Sequence, residues 1–97
     1  MRPYELVFIL RPDLEEDAVQ ATIDRMAQII EQGGGQVENI DRWGKRRLAY
    51  EIQGYREGNY TVLQFQSDQS VTQELERVLQ LSEDVVRYLT VRRDEAV

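Results

Sequence analysis

The stretch that decides the fold is YELVFILRPDLEEDAVQATIDRMAQIIEQGGGQVENI, which occupies residues 4–40. Its first seven residues are apolar except for Glu5, which predicts a buried β-strand. A helix is predicted from about residue 14 to residue 32, because apolar side chains recur there with a period of 3.6 residues. The apolar stripe of this helix consists of Val19, Ile23, Met26 and Ile30. Three glycines end the helix and a second strand-like run follows, so the stretch predicts a β-α-β unit.

The rest of the chain repeats this order. Residues 60–66 and 85–92 have the pattern of strands, and residues 70–80 have the pattern of a short amphipathic helix. Residues 37–52 form either one long irregular strand bent at Gly44 or a hairpin of two short strands, and we favour the long strand. Because β-α-β crossovers are right-handed, the two halves interleave into a four-stranded antiparallel sheet with both helices on one face. The sequence therefore predicts an α+β fold of the ferredoxin-like, β-α-β-β-α-β type.

Length and composition exclude several classes of protein. At 97 residues the chain is expected to form a single domain, 1–97. It contains no cysteine and no histidine, so disulfides, thiolate or imidazole zinc sites, a cysteine nucleophile and a histidine base are all excluded. We therefore expect a binding protein and not an enzyme. The start of the chain does not resemble a secretory signal and its longest apolar run is far shorter than the roughly 20 residues of a membrane span, so a cytoplasmic protein is expected.

The alternation of side chains along the strands divides the sheet into two faces. The set predicted to face the helices is Tyr4, Leu6, Phe8, Leu10, Leu48, Tyr50, Ile52, Leu63, Phe65, Tyr88 and Thr90. The set predicted to point the other way is Val7, Ile9, Tyr60, Val62, Leu89 and Val91. Two helices cannot cover this second face, and an uncovered apolar face favours a partner protein or self-association. The alternative is that strands carry β-branched residues on both faces simply because these fit a pleated surface.

The charge is unevenly distributed. The formal net charge is −6, yet Arg42, Lys45, Arg46 and Arg47 carry +4 within six positions, which leaves −10 on the other 91 residues. Charges are screened beyond about 8 to 10 Å in physiological salt, so the basic segment acts on phosphates that touch it while the acidic remainder weakens long-range attraction. Trp43 lies inside this segment and can stack on a base, anchor a protein pocket or fold back onto its own core. We expect weak binding to RNA alone and stronger binding with a partner protein; a solvated charge run, or edge-strand charges that prevent aggregation, is the alternative.

The motif GKRRLAYEI, residues 44–52, resembles the characteristic segment of the bacterial small-subunit ribosomal protein six family. Residues 1–5 are similar to the start of that family, residues 58–60 to its hairpin and residues 85–88 to its last strand. The resemblance covers the whole chain in order. It implies a primary binder of the central domain of small-subunit rRNA that acts as a heterodimer with small-subunit ribosomal protein eighteen, without catalytic activity or cofactor.

The resemblance also implies roles for individual residues. It assigns partner binding to the charged second strand, at Asp41, Arg42, Arg46 and Arg47, and we add Trp43 and the outward-facing Tyr60, Val62, Leu89 and Val91. It assigns rRNA contacts to Arg2, Arg87, Arg92 and Arg93, and we add Lys45. The charge distribution by itself also groups Arg2, Arg87, Arg92 and Arg93, and Asp94 and Glu95 partly offset the charge of this group.

Three other functions share the strand order. An RNA-recognition motif needs a basic residue and alternating aromatic residues on its third strand, but Glu57, Asn59 and Thr61 occupy those positions. An acylphosphatase-type enzyme needs a glycine-rich phosphate loop after the first strand, and the loop here is Arg11, Pro12, Asp13. A small-molecule regulatory domain is not excluded by the sequence; a thermal-shift screen across amino acids tests for one.

Overall fold

A computed structural model describes residues 1–94 of the chain. Residues 95–97, which the domain prediction included, and Glu95, predicted to offset the terminal arginines, lie outside the described residues. The elements are β1 (Arg2–Leu10), α1 (Glu16–Gln32), β2 (Gln36–Ile52), β3 (Tyr55–Ser67), α2 (Gln69–Leu81) and β4 (Val85–Arg92). This confirms the predicted order of strands and helices. Neither helix combines the length and apolar composition that a membrane span within residues 1–94 would need.

The four strands form one antiparallel sheet in the order β2-β3-β1-β4. Both helices pack on the same face, because one apolar cluster joins the α1 stripe and the α2 stripe to alternate residues of the central strands. Its largest fully buried side chains include Phe8, Phe65, Leu6, Leu63, Ile23, Met26 and Leu75. The predicted ferredoxin-like arrangement is therefore confirmed. We call this the helix side of the sheet, and the opposite surface the open face.

The second strand is continuous over 17 residues, which confirms one long strand rather than a hairpin. It is irregular at the predicted bend: the register with β3 shifts between Arg42 and Gly44, so that one extra residue lies opposite Tyr60. Gly44 has a φ of +78°, a left-handed conformation that a residue with a Cβ rarely adopts. This β-bulge interrupts the strict alternation of side chains.

The predicted orientation of Leu48, Tyr50 and Ile52 was wrong. We expected them on the helix side, but Leu48 packs with Ile9 and Val86 in a separate apolar cluster on the open face, with Ile52 against it. Tyr50 is exposed on the same face. The extra residue at the bulge explains the error, since a shift of one position moves every later side chain to the opposite face.

The expectation that nothing covers the open face was wrong for one end of it. The tip of the β2-β3 hairpin folds over the end of β1 and the start of β4, where Leu48 packs on Ile9 and the Gln53 side-chain amide donates to the Val86 carbonyl at 3.4 Å. The rest of the face has no covering element within residues 1–94. Leu89 and Val91 there are 58% and 43% exposed. The uncovered part is thus centred on β4 and the middle of β1.

The hairpin approaches β1 so closely that Gly58 has no room for a side chain. A Cβ at this position would lie 2.2 Å from Cγ2 of Ile9, a branched atom that cannot rotate away freely. Replacing Gly58 with alanine should lower the free energy of unfolding by about 1 to 3 kcal/mol, the usual cost of overpacking. Urea denaturation measures this, with Glu57→Ala at the adjacent exposed position as the control. A Gly58→Ala protein as stable as the control would contradict the packing described here.

Candidate protein-binding and RNA-binding surfaces

Rows of side chains cross the open face through the paired strands. The central row contains Asp41, Val62, Val7 and Leu89, one residue from each strand in sheet order. A second row, on one side of the central row, contains Asn39, Gln64, Glu5 and Val91. A third row, on the other side, runs from the bulge of β2 through Tyr60 and Ile9 to Arg87. A shallow groove of about 200 Å³ runs between β1 and β4 in this area, lined mainly by apolar atoms of Val7, Ile9 and Leu89. The face therefore has an apolar centre with charged groups at its margins.

Trp43 lies at the β2 margin of the open face, where the bulge brings it onto Tyr60. The two rings are nearly parallel, with centroids 5.9 Å apart and 14° between their planes. The Arg46 guanidinium carbon lies 5.6 Å from the Trp43 ring centroid, within the range of a cation-π contact. The indole Nε1–H donates to Asp41 Oδ2 at 3.0 Å. Trp43 thus rests on its own sheet and still remains 45% exposed.

The basic segment does not form one patch. Arg42 lies on the helix side, where it donates to Glu16 and Gln20 of α1. The hydrogen bond from Arg42 lowers the pKa of the Glu16 carboxyl and raises the pKa of Arg42, so both groups remain charged. The register places Lys45 opposite Asn59 and Arg47 opposite Glu57, also on the helix side of β2. Only Arg46 extends over the open face.

Three of the arginines predicted to contact rRNA do come together, where β1 begins and β4 ends. Arg2 and Arg92 lie 3.7 Å and 2.6 Å from the Asp94 carboxylate, and Arg93 lies 2.6 Å from Glu38. The Arg92 hydrogen bond, with the nearby charge of Arg2, lowers the pKa of Asp94. We call Arg2, Arg92 and Arg93 the terminal cluster. Within residues 1–94, the carboxylates of Asp94 and Glu38 thus form ion pairs with this cluster.

The other two predicted rRNA contacts lie elsewhere. Arg87 pairs with Ile9 near the opposite end of β4 and donates to the Tyr50 hydroxyl at 2.7 Å. Lys45 lies on β2, which is the far edge of the sheet from β4. The structure thus divides the predicted set into the terminal cluster, Arg87 and Lys45.

The predicted partner-binding residues divide in a similar way. Those on the open face are Asp41, Trp43, Arg46, Tyr60, Val62, Leu89 and Val91, whereas Arg42 and Arg47 lie on the helix side. Val62 is buried and contributes to the floor of the face. The sequence analysis did not identify Tyr50 as a residue of the open face. Gly44 indicated a bend in the strand, but it did not indicate that the bend would reverse the alternation of the side chains that follow.

The open face has the composition of a binding surface. Within residues 1–94, no group of three or more acidic side chains is placed to hold a metal ion. The lowered pKa values of Glu16 and Glu74 each arise first from a hydrogen bond donated by an arginine, Arg42 and Arg77 respectively. An apolar face with arginines at its margins is the chemistry of an interface with another macromolecule.

Comparison with known proteins agrees with this description. The family model described as Ribosomal protein S6 matches residues 3–92. The small ribosomal subunit protein bS6 of Moorella thermoacetica is 52% identical over 95 residues, which cover 98% of this chain and 97% of that protein. The bS6 protein of Heliobacterium modesticaldum is 48% identical, with 98% and 99% covered.

A solved structure gives the same result. The crystal structure of 30S ribosomal protein S6 from Thermotoga maritima superposes with a TM-score of 0.89 at 36% identity, covering 95% of this chain and 87% of that chain. These relatives are structural proteins of the ribosome, which confirms the prediction that the chain is not an enzyme. With nearly its whole length matched in sequence and in structure, the chain belongs to the ribosomal protein S6 family of the bacterial small ribosomal subunit.

Proposed function

We propose that this chain, as a single domain, is a structural constituent of the small ribosomal subunit that binds the central domain of small-subunit rRNA together with small-subunit ribosomal protein eighteen. Membership of the family gives its location, the ribosome in the cytoplasm. The observation that carries the proposal is the open face. Leu89 and Val91 are exposed there beside Val7, and an uncovered apolar sheet face of this kind is typical of a protein interface.

The different compositions of the open face and the terminal cluster support a heterodimer. The centre of the open face has apolar side chains and few charged ones, as the centres of protein interfaces do. The terminal cluster lies at one end of the sheet and presents guanidinium groups, which match the geometry of phosphates. A partner on the open face therefore leaves the terminal cluster accessible to rRNA.

The charge of the chain explains why a partner is needed. The carboxylates Asp94 and Glu38 neutralise much of the terminal cluster, and the net charge of the chain is −6. Affinity for nucleic acid depends chiefly on the number of phosphates that basic groups neutralise. This chain alone offers few such contacts, so the partner supplies the remaining ones.

The experiment that tests the proposal uses the purified chain, purified protein eighteen and a transcript of the central rRNA domain. Analytical ultracentrifugation should show a one-to-one heterodimer, and filter binding should show that the heterodimer binds the transcript much more tightly than either protein does. The absence of a heterodimer, or tight binding of rRNA by this chain alone at physiological salt, would overturn the proposal.

Two exposed leucines provide a matched test of the open face. Leu89 is 58% exposed on the open face, and Leu81 is 71% exposed at the end of α2. Leu89→Glu should weaken heterodimer formation by about tenfold or more, because a charge would be buried in an apolar interface. Leu81→Glu should leave it unchanged. Isothermal titration calorimetry measures both, and equal effects of the two variants would refute the assignment of the face.

Two equally exposed arginines provide a test of the terminal cluster. The side chain of Arg2 in the cluster is 57% exposed, and that of Arg77 on α2 is 59% exposed. Arg2→Ala should weaken rRNA binding by the heterodimer and reduce the slope of log affinity against log salt by about 1, as expected for the loss of one phosphate contact. Arg77→Ala serves as the control. If both variants keep the salt slope of the parent heterodimer, Arg2 does not contact phosphate.

A further inference from the structure

The side chains around Trp43 leave two opposite charges unpaired with each other on the open face. Asp41 accepts a hydrogen bond from the Trp43 indole, and Arg46 lies over the indole ring. The Asp41 carboxylate and the Arg46 guanidinium do not come within 4.0 Å of each other, although the two side chains share a face of one strand. The indole separates them and holds each in place.

Arg46 differs in this respect from most arginines of the chain. Within residues 1–94, seven arginines have a carboxylate within 4.0 Å: Arg2, Arg11, Arg42, Arg56, Arg77, Arg92 and Arg93. Arg46 has none there; the contact that fixes it is with an aromatic ring. A guanidinium that lies over a ring keeps its N–H groups available at its edge, where a carboxylate can accept two of them.

We propose that Trp43 is a positioning residue that holds Arg46 ready for a carboxylate of the partner protein, with Asp41 receiving a basic side chain of the same partner. This rests on the proposed function, because it takes the open face as the partner-binding surface. Asp41 pairs with Val62 and Arg46 with Gly58, four residues apart on β3. At about 3.3 Å per residue, their backbone positions are roughly 13 Å apart, and the two charged groups lie closer together than this because both side chains converge on Trp43.

The spacing defines the partner segment that fits. It carries an acidic side chain for Arg46 at one end and a basic side chain for Asp41 at the other, less than roughly 13 Å apart. Because the two charges of the site are opposite, a segment laid in the reverse direction would place like charges together. The site therefore selects both the partner and its direction along β2.

A protein segment suits this site better than an RNA strand does. The stack is continuous with the apolar floor of the open face, where Val62 and Ile9 are buried. The acceptor end of the site, Asp41, would repel a phosphate chain that followed the strand. A protein segment with both charge signs satisfies both ends.

The test is a double-substitution cycle on the full chain, measured by calorimetric titration with purified protein eighteen. Arg46→Met and Trp43→Leu should each weaken the heterodimer by about tenfold. Together they should cost little more than either alone, because Trp43 acts through Arg46. Arg46→Lys should recover only part of the affinity, since the planar fork is lost. Arg25→Met, which removes an exposed arginine of α1 on the other side of the sheet, is the matched control and should have no effect.

Further measurements separate the outcomes. Trp43 is the only tryptophan, so its emission in the free chain should change in Arg46→Met but not in Arg25→Met. Circular dichroism of each variant checks that the fold is retained. Additive losses in the cycle, or an unchanged heterodimer with Trp43→Leu, would overturn the proposal, as would an Arg46→Met variant that keeps its heterodimer affinity but binds rRNA less tightly. If the parent chain forms no heterodimer at all, the proposed function itself fails; a parent heterodimer with unaffected variants refutes only the role of Trp43.

Discussion

The bulge at Trp43 and Gly44 reverses the alternation of side chains along β2, and both faces of the sheet depend on this reversal. Before it, Arg42 points to the helix side and pairs with Glu16 of α1. After it, residues of the same parity point to the open face, so that Leu48 packs on Ile9. A strand with strict alternation would send Leu48 away from Ile9, and the hairpin tip would lose its contact with the sheet.

Within residues 1–94, the same geometry leaves part of the open face uncovered and places charged side chains at its margin. Two helices cover one face of a four-stranded sheet, and the hairpin tip covers only one end of the other. What remains is apolar at Leu89 and Val91 and is bordered by the Trp43 stack. In the proposed function, this acidic chain binds RNA weakly by itself, and its affinity rises when a partner covers the face and adds its own basic groups.

The sequence predicted the order of elements because helices and strands impose different periods on apolar residues, and these periods are clear around Ile23 and Phe8. It did not predict the face of Leu48, since Gly44 indicates a bend without saying how many residues the bend inserts. The pairing of Arg42 with Glu16 could not be predicted from the sequence either, because it joins residues 26 positions apart. The terminal cluster could be anticipated from the charge distribution, because the predicted sheet contains both the first strand and the last and so groups arginines from opposite ends of the chain.

In the proposed heterodimer, the partner docks on the uncovered part of the open face. Cross-saturation NMR on the methyl groups of this chain, with protein eighteen as the saturated partner, tests it most directly. The account predicts strong intensity losses at Val7, Leu89 and Val91 and none at Leu81, which lies at the end of α2. Losses confined to methyl groups of α1 and α2, with Leu89 and Val91 unaffected, would contradict it.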